Sequence, residues 1–257
     1  DIDAYQSQLE FKDNLIVSAE TFLLWVIEGD EALKAKIPFD QIDDNVLVVE
    51  DMQPYRTRKV RILNGAHTTM VPFSLLYGNE TVKETVDNEF TGKFVRDAVF
   101  NEINPTLDLS EEELNEFAAA VFDRFRNPFI KHLLSSIALN TVSKFKVRVL
   151  PSLLAFEQAY NRLPENLTFA LACLIRFYKG TWKGKALPIK DDAAVVAFFD
   201  EVWKEDNYAA VSKAVLSNST FWDQDLTKIE GLEERITTAL ALIEENGVEE
   251  AYKKYTV

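Results

Sequence analysis

Ser110-Glu-Glu-Glu-Leu-Asn-Glu-Phe-Ala-Ala-Ala-Val-Phe-Asp-Arg-Phe-Arg-Asn-Pro128 decides the fold class of this chain. Ser110 and Glu113 form a capping box, in which the hydroxyl accepts from the N–H three residues on and the carboxylate reaches back to the serine N–H. Beyond it, Leu114, Phe117, Ala118, Val121, Phe122 and Phe125 recur at intervals of three and four. That period lines one face of an α-helix, and Asn127-Pro128 ends it. A helix with one apolar stripe must bury it against another layer of structure.

Working outward, the helical period continues on both sides. Pro54 suits the first turn of a helix that runs to Leu76, with Gly78 as its stop. Further helices are expected at 129–142, 151–161, 165–179, 191–204 and 206–217. A last one begins at a second capping box, Thr227 with Glu230, and runs to Asn246-Gly247. Strand character is confined to the start, where Asn14-Leu-Ile-Val-Ser and Asn45-Val-Leu-Val-Val-Glu50 are short runs rich in β-branched residues. Eight glycines and eight prolines in 257 residues are few for a protein of many tight turns. The reading is a mainly α, multi-helical domain over 53–257, preceded by a connecting segment, 1–52, with short strands.

The net charge of −14 argues against nucleic acid and against anionic membrane surfaces, both of which need a basic footprint. No apolar run approaches the ~18 residues of a membrane-spanning helix. The single cysteine, Cys173, lies in an apolar helical run and reads as core; one cysteine forms no internal disulfide, which suits a cytoplasmic location. The chain opens at Asp1 in polar sequence, which is read as the start of a fragment or of a processed chain.

The acidity is unevenly spread. Residues 53–79 hold no Asp or Glu but carry Arg56, Arg58, Lys59 and Arg61. Residues 124–156 also hold none and carry Arg124, Arg126, Lys131, Lys144, Lys146 and Arg148. Both histidines, His67 and His132, fall in these windows. Core helices have few charges of either sign, which explains lost acids but not ten retained cations. The alternative is an electropositive pocket for a small anion, where a stray carboxylate would repel the ligand.

Within the first window, Lys59-Val-Arg-Ile-Leu-Asn64-Gly-Ala-His67 carries the chemistry. On an ideal helix Asn64 stands about 140° from Lys59 and His67 about 80°, between the two. The three heads could converge over Gly65, whose bare backbone leaves room for a substrate. A lysine so placed can give a proton to the oxygen of a ketone under reduction, or take one from an alcohol. Neighbouring arginines and burial bring its pKa down toward a useful range. Asn64 and His67 would hold the same oxygen by hydrogen bonds. No metal is required, and two histidines with one cysteine make a poor zinc set. Spacing alone does not separate this site from a solvated lysine beside a structural histidine.

The run Pro54-Tyr-x3-Lys59-x-Arg-x-Leu-Asn64-Gly-x-His67-Thr resembles the Lys-x4-Asn-x2-His signature of the polyol-specific long-chain dehydrogenases, the mannitol dehydrogenase family. Trp25-Val-Ile-Glu28, Arg124-Phe-x-Asn-Pro128-x-Ile130 and Leu150-Pro151 are similar to three further landmarks of that family, in the same order. The wording around Asn64–Pro72 and Asn127–Asn140 looks closest to its hexuronate branch, which interconverts D-tagaturonate and D-altronate with NAD(H). The resemblance implies a helical fold like the C-terminal domain of 6-phosphogluconate dehydrogenase. It also implies Lys59 as general acid/base, Asn64 and His67 as oxygen-binding partners, and Lys144 as a substrate contact. The polyol branch has Asp at the position of His132 and Arg at that of Ser136. Those departures fit a substrate carboxylate, with Lys144, Lys146 or Arg148 as its donors, and His132 and Arg61 nearby.

Family members bind NAD on an N-terminal Rossmann domain, and this chain contains no G-x-G. The expectation is therefore the C-terminal, substrate-binding half of an NAD-dependent oxidoreductase, without metal, whose nucleotide-binding domain is absent and whose isolated half is inactive. Fructuronate or mannitol as substrate, and a non-catalytic helical interaction module, remain alternatives.

Overall fold

The computed structural model describes residues 2–17, 19–205 and 207–256. The chain divides into two compact units, Asp1–Tyr55 and Arg56–Val257.

In the first unit, after the short helix α1 (Ile2–Gln6), β1 (Trp25–Glu28) and β2 (Val46–Val49) pair in parallel with Trp25 opposite Val46. Parallel neighbours need a crossover, here supplied by α2 (Glu31–Lys36). The 45–50 run is thus a strand, whereas 14–17 are not. Asp13 Oδ1 accepts from the Leu15 N–H at 2.8 Å, an Asx turn that diverts the chain, and Leu15 and Val17 stand exposed with no strand beside them among the described residues. Ser18, the end of that run, lies outside the described residues.

The second unit is helical. Its frame begins with α3 (Gln53–Arg58), which continues through a π turn at Lys59–Asn64 into α4 (Gly65–Tyr77), with Gly78 as the stop. Then follow α5 (Val82–Asp87), α6 (Glu89–Asp97), a second π turn (Ala98–Ile103) and α7 (Glu111–Phe125). The next helices are α8 (Leu134–Ile137), α9 (Thr141–Arg148), α10 (Leu150–Tyr160) and α11 (Glu165–Phe177). A two-stranded antiparallel pair, β3 (Thr181–Trp182) and β4 (Lys185–Ala186), leads to α12 (Ala193–Val202) and α13 (Tyr208–Leu216). The chain closes with α14 (Ser219–Trp222), α15 (Leu232–Asn246) and α16 (Val248–Tyr255). The expected start of α13 at residue 206 lies outside the described residues. Among the described residues no helix is long and apolar enough to cross a membrane.

The core is built on α4 and α11, which pack on each other and are buried almost all round. Helices without a polar face belong in the middle of a fold. Phe73 of α4 stacks on Phe94 of α6 at 3.8 Å, and Phe169 and Tyr252 close edge-on around them. Cys173, on α11, is fully buried.

Two expected helices are corrected. Residues 129–142 do not form one helix: Asn127 Oδ1 accepts from the Phe129 N–H at 2.9 Å, and Leu133 bridges to Thr81 as a short strand pair. The Val82 N–H donates to the His132 carbonyl at 3.0 Å and the Leu134 N–H to that of Glu80 at 2.9 Å, so the passage is extended. A left-handed Asn140, φ 52°, then starts α9. At 227–230 there is no capping box. Thr227 donates both its N–H and its hydroxyl to Asp225 Oδ1, at 3.0 and 2.6 Å, and α15 starts only at Leu232 after Gly231, φ 73°.

Candidate active site

The site lies within the second unit, where the π turn sets its geometry. The Gly65 N–H reaches back five residues to the Val60 carbonyl. Such a turn is wider than an α turn, so Asn64 stands less far round from Lys59 than an ideal α-helix would place it. His67 follows Asn64 at i+3, on the neighbouring turn. Lys59 is exposed, while Asn64 and His67 are partly buried.

Gly65 has a different role from the one expected. A Cβ there would come within 3.2 Å of the Arg148 carbonyl oxygen. Gly65 is buried, and its bare backbone lets the end of α9 approach the π turn and α4, against both of which α9 packs. The room serves packing, not substrate.

That close approach brings the two acid-free windows together. The His67 ring lies 4.4 Å from Phe125 and meets His132 edge-on at 5.1 Å. Burial, then the charges of His132, Arg148, Arg124 and Lys144, push its pKa down to about 3. His67 is therefore neutral at physiological pH, with one ring nitrogen donating and the other accepting. Its Nε2 is buried and has no hydrogen-bond partner among the described residues. Lys144 and Arg148, one turn apart on α9, share a face, and the Lys144 ammonium donates to the Ile137 carbonyl at 2.8 Å. Burial and Arg148 lower the Lys144 pKa, and Asp191 opposes them. Burial likewise lowers those of Arg148 and His132.

Not every expected group joins. Lys146, two residues from both Lys144 and Arg148, faces another way and pairs with Asp223 at 3.0 Å. The Arg61 guanidinium donates to Ser152 Oγ at 2.6 Å and to Thr106 Oγ1 at 3.4 Å, and burial lowers its pKa to about 10. It ties the π turn to α10. Arg126 pairs with Asp87 and Asp123, and Arg58 lies over the Phe117 ring. Arg124, by contrast, is a member that its place in the sequence did not single out. Its signal was there: it adjoins Phe125, whose ring packs on His67.

At the β1–α2 turn, Asp30 Oδ1 already caps the helix, accepting from the Leu33 N–H at 2.8 Å where a phosphate would sit. Gly29 is packed against Leu33, which a Cβ would strike at 2.2 Å. Among the described residues no group of three or more His, Cys, Asp or Glu could hold a metal ion.

Residues 51–244 match the family model of the mannitol dehydrogenase C-terminal domain. Altronate oxidoreductases from Enterobacter sp. (strain 638) and Klebsiella pneumoniae (strain 342) are 43% and 44% identical to this chain over 99% and 98% of its length. The matches take in 54% and 53% of those relatives, so the chain spans about half the length of the curated relatives it matches. Among solved structures, a ternary complex of Pseudomonas fluorescens mannitol 2-dehydrogenase with NAD and D-mannitol superposes with a TM-score of 0.77 at 21% identity, covering 91% of this chain and 46% of that one. A substrate-free D-sorbitol dehydrogenase gives 0.77 at 20% identity, covering 98% and 50%. With the family model matched over most of its length and curated relatives more than 40% identical, this chain belongs to the mannitol dehydrogenase family, matching its C-terminal domain.

Proposed function

We propose that this chain is the substrate-binding, catalytic half of an NAD-dependent oxidoreductase that interconverts D-tagaturonate and D-altronate. The observation that carries the reading is the buried, unpartnered Nε2 of His67, whose ring meets His132 at 5.1 Å next to the π turn that holds Lys59 and Asn64 and whose pKa is lowered by burial and by the charges of His132, Arg148, Arg124 and Lys144. A cluster of cations suits the carboxylate of a sugar acid, and the similar altronate oxidoreductases act on such a substrate by name.

In this reading Lys59 exchanges the proton of the ketone or alcohol oxygen, from an exposed position on the turn before Asn64. Asn64 and the orphan Nε2 of His67 bind that oxygen, and a neutral imidazole does so without adding charge to the site. Lys144 and Arg148, with His132 and Arg124, bind the carboxylate. NAD, held by a domain outside this chain, supplies the hydride chemistry when bound.

The first unit supports such a partner domain. Parallel strands are ordinarily covered on both faces as part of a larger sheet. Here the pair consists of two strands, and Trp25 on β1 with Leu23 just before it are exposed apolar side chains. In this reading the partner domain covers that surface.

The test is NADH oxidation by the full-length protein with D-tagaturonate, D-fructuronate and D-fructose side by side. D-tagaturonate is expected to be fastest, and the isolated chain to be inactive. Preference for fructose would overturn the carboxylate reading. Turnover by the isolated chain would overturn the need for a second domain.

A further inference from the structure

The second π turn (Ala98–Ile103) runs directly into a 3₁₀ turn, Asn104–Thr106. Residues of these two turns, of the start of α7 and of the end of α10 enclose a cavity of about 390 Å³. That volume suits a small organic molecule. None of the residues read as catalytic or substrate-binding lines it. Its walls are apolar, made by Phe100, Leu107, Leu109 and Leu114. Leu114 is buried, and the other three pack part-buried against the core, so the walls stand without help from a ligand. Tyr160, the last residue of α10, adds a second aromatic face, and its ring is held 4.5 Å from that of Phe156.

The polar groups of this cavity are few. Asn104 is 4% exposed, and its Nδ2 donates to Asn115 Oδ1 at 3.1 Å. Asn104 Oδ1 is buried and has no hydrogen-bond partner among the described residues. A buried acceptor of this kind is costly until a donor reaches it, and the leucines around it have none to give. Glu111, exposed at the first turn of α7, contributes a carboxylate. No Lys, Arg or His is among the described residues that line the cavity. Arg162, two residues beyond Tyr160, lies instead over the Phe156 ring at 4.9 Å. An acceptor, a carboxylate and two aromatic rings form the reverse of the cationic cluster around His67. Such a set recognises a positive charge, through hydrogen bonds, Coulomb attraction and the ring faces.

We propose that this cavity binds a small apolar ammonium compound, with its hydrocarbon body on the leucine walls and its N–H donors directed to Asn104 and Glu111. The site is separate from the one read as taking a sugar acid, and it stands whether or not that reading holds.

The experiment uses the full-length protein and three probes of similar size: 2-phenylethylammonium, 2-phenylethanol and phenylacetate. Each is titrated near neutral pH by ligand-observed NMR. The ammonium should bind about five- to tenfold more tightly than phenylacetate, the size expected of one exposed ion pair with a cation–π contact. The alcohol, a neutral donor, should fall between the two. Absence of binding by the ammonium, or phenylacetate binding as tightly as the ammonium, would overturn the proposal.

Three variants place the probe. Glu111→Gln should weaken the ammonium about two- to fivefold and leave the alcohol unchanged, since it removes one exposed charge. Asn104→Leu should weaken both, because it removes the acceptor. Leu109→Trp, which fills the cavity from a part-buried wall, should abolish binding of both. If Asn104→Leu does not fold, the exposed Glu111→Gln and the wall variant still decide the matter. Parent-like ammonium binding by Leu109→Trp would put the probe elsewhere on the protein, and an ammonium unaffected by Glu111→Gln would remove the charge recognition; either result overturns the proposal.

Discussion

His67 imposes a measurable cost on stability in acid. An unfolded chain titrates its histidines near pH 6.5, whereas burial and four neighbouring groups hold His67 down to about 3. The folded pKa is the lower one, so the stability this ring confers is complete above about pH 6.5 and is lost as the pH falls toward 3. At about 1.4 kcal/mol per pH unit, the fall from pH 6.5 to pH 5 removes about 2 kcal/mol. His67→Gln keeps a polar side chain and abolishes the titration. Urea unfolding of the parent and this variant at pH 7.5 and pH 5.0 isolates the effect, because carboxylates titrate alike in both and cancel in the difference. The parent should lose about 2 kcal/mol more than the variant between the two pH values. Equal losses would refute a neutral, desolvated His67, and with it the reading of Nε2 as a neutral partner for a substrate oxygen.

Lys59→Met in the full-length protein should lower kcat by about 10²–10⁴ and shift unfolding by less than about 0.5 kcal/mol, since Lys59 is exposed; stopped-flow NADH kinetics and a thermal melt check both. Glu102, 6% exposed, accepts from the Asn166 N–H, Asn166 Nδ2 and the Leu167 N–H at 2.8, 2.8 and 2.9 Å, yet burial still raises its pKa to about 7. Its folded value lies above the unfolded one, so stability should fall by about 3 kcal/mol as pH rises from about 4.5 to 7. Glu102→Gln should flatten that slope in urea titrations at several pH values. Gly65→Ala should cost about 1–3 kcal/mol in urea unfolding, because the new methyl meets the Arg148 carbonyl at 3.2 Å and α9 must retreat. His132→Asp should raise the His67 pKa, read from its ring ¹³C–¹H resonances, by putting a carboxylate where a ring now stands 5.1 Å away.

The helix at 110–126 was legible because a serine N-cap agreed with a periodic signal over more than three turns, although only half of the expected box forms: Ser110 Oγ accepts from the Glu113 N–H, while the Glu113 carboxylate accepts from the Ser110 hydroxyl rather than from its N–H. The same box at Thr81 and Glu84 caps α5 and is complete in the structure, but six residues of α5 give too little period to be noticed. The box expected at Thr227 failed for the opposite reason: a local competitor, Asp225, took the donors first. The passage at 129–142 was misread because its apolar residues have tertiary partners. Leu134 and Ala138 enter the core, whereas Phe129 is 93% exposed, and no period distinguishes the two cases. Lys59, Asn64 and His67 stood out by their spacing. The π turn between Lys59 and Asn64 did not, since nothing in Lys59-Val-Arg-Ile-Leu-Asn64 differs from an ordinary helical run.

If the proposed function holds, the missing acids serve two requirements at once. A site for a sugar acid must not repel the substrate, and a histidine meant to bind a substrate oxygen as a neutral ring must not be given a counter-ion that charges it. A carboxylate at ring distance from His67 would defeat both, because it would raise the imidazole pKa toward neutrality and push the substrate away. His132 at 5.1 Å does neither: it adds to the depression of His67, and burial lowers its own pKa. The acid that does approach this cluster, Asp191, bears on Lys144, and it is absent from the charges that act on His67. Charge is thus assigned group by group rather than averaged over the pocket. An excess of forty-two acids over twenty-eight cations says nothing about this site, while their absence from two short windows that fold against one ring says most of it.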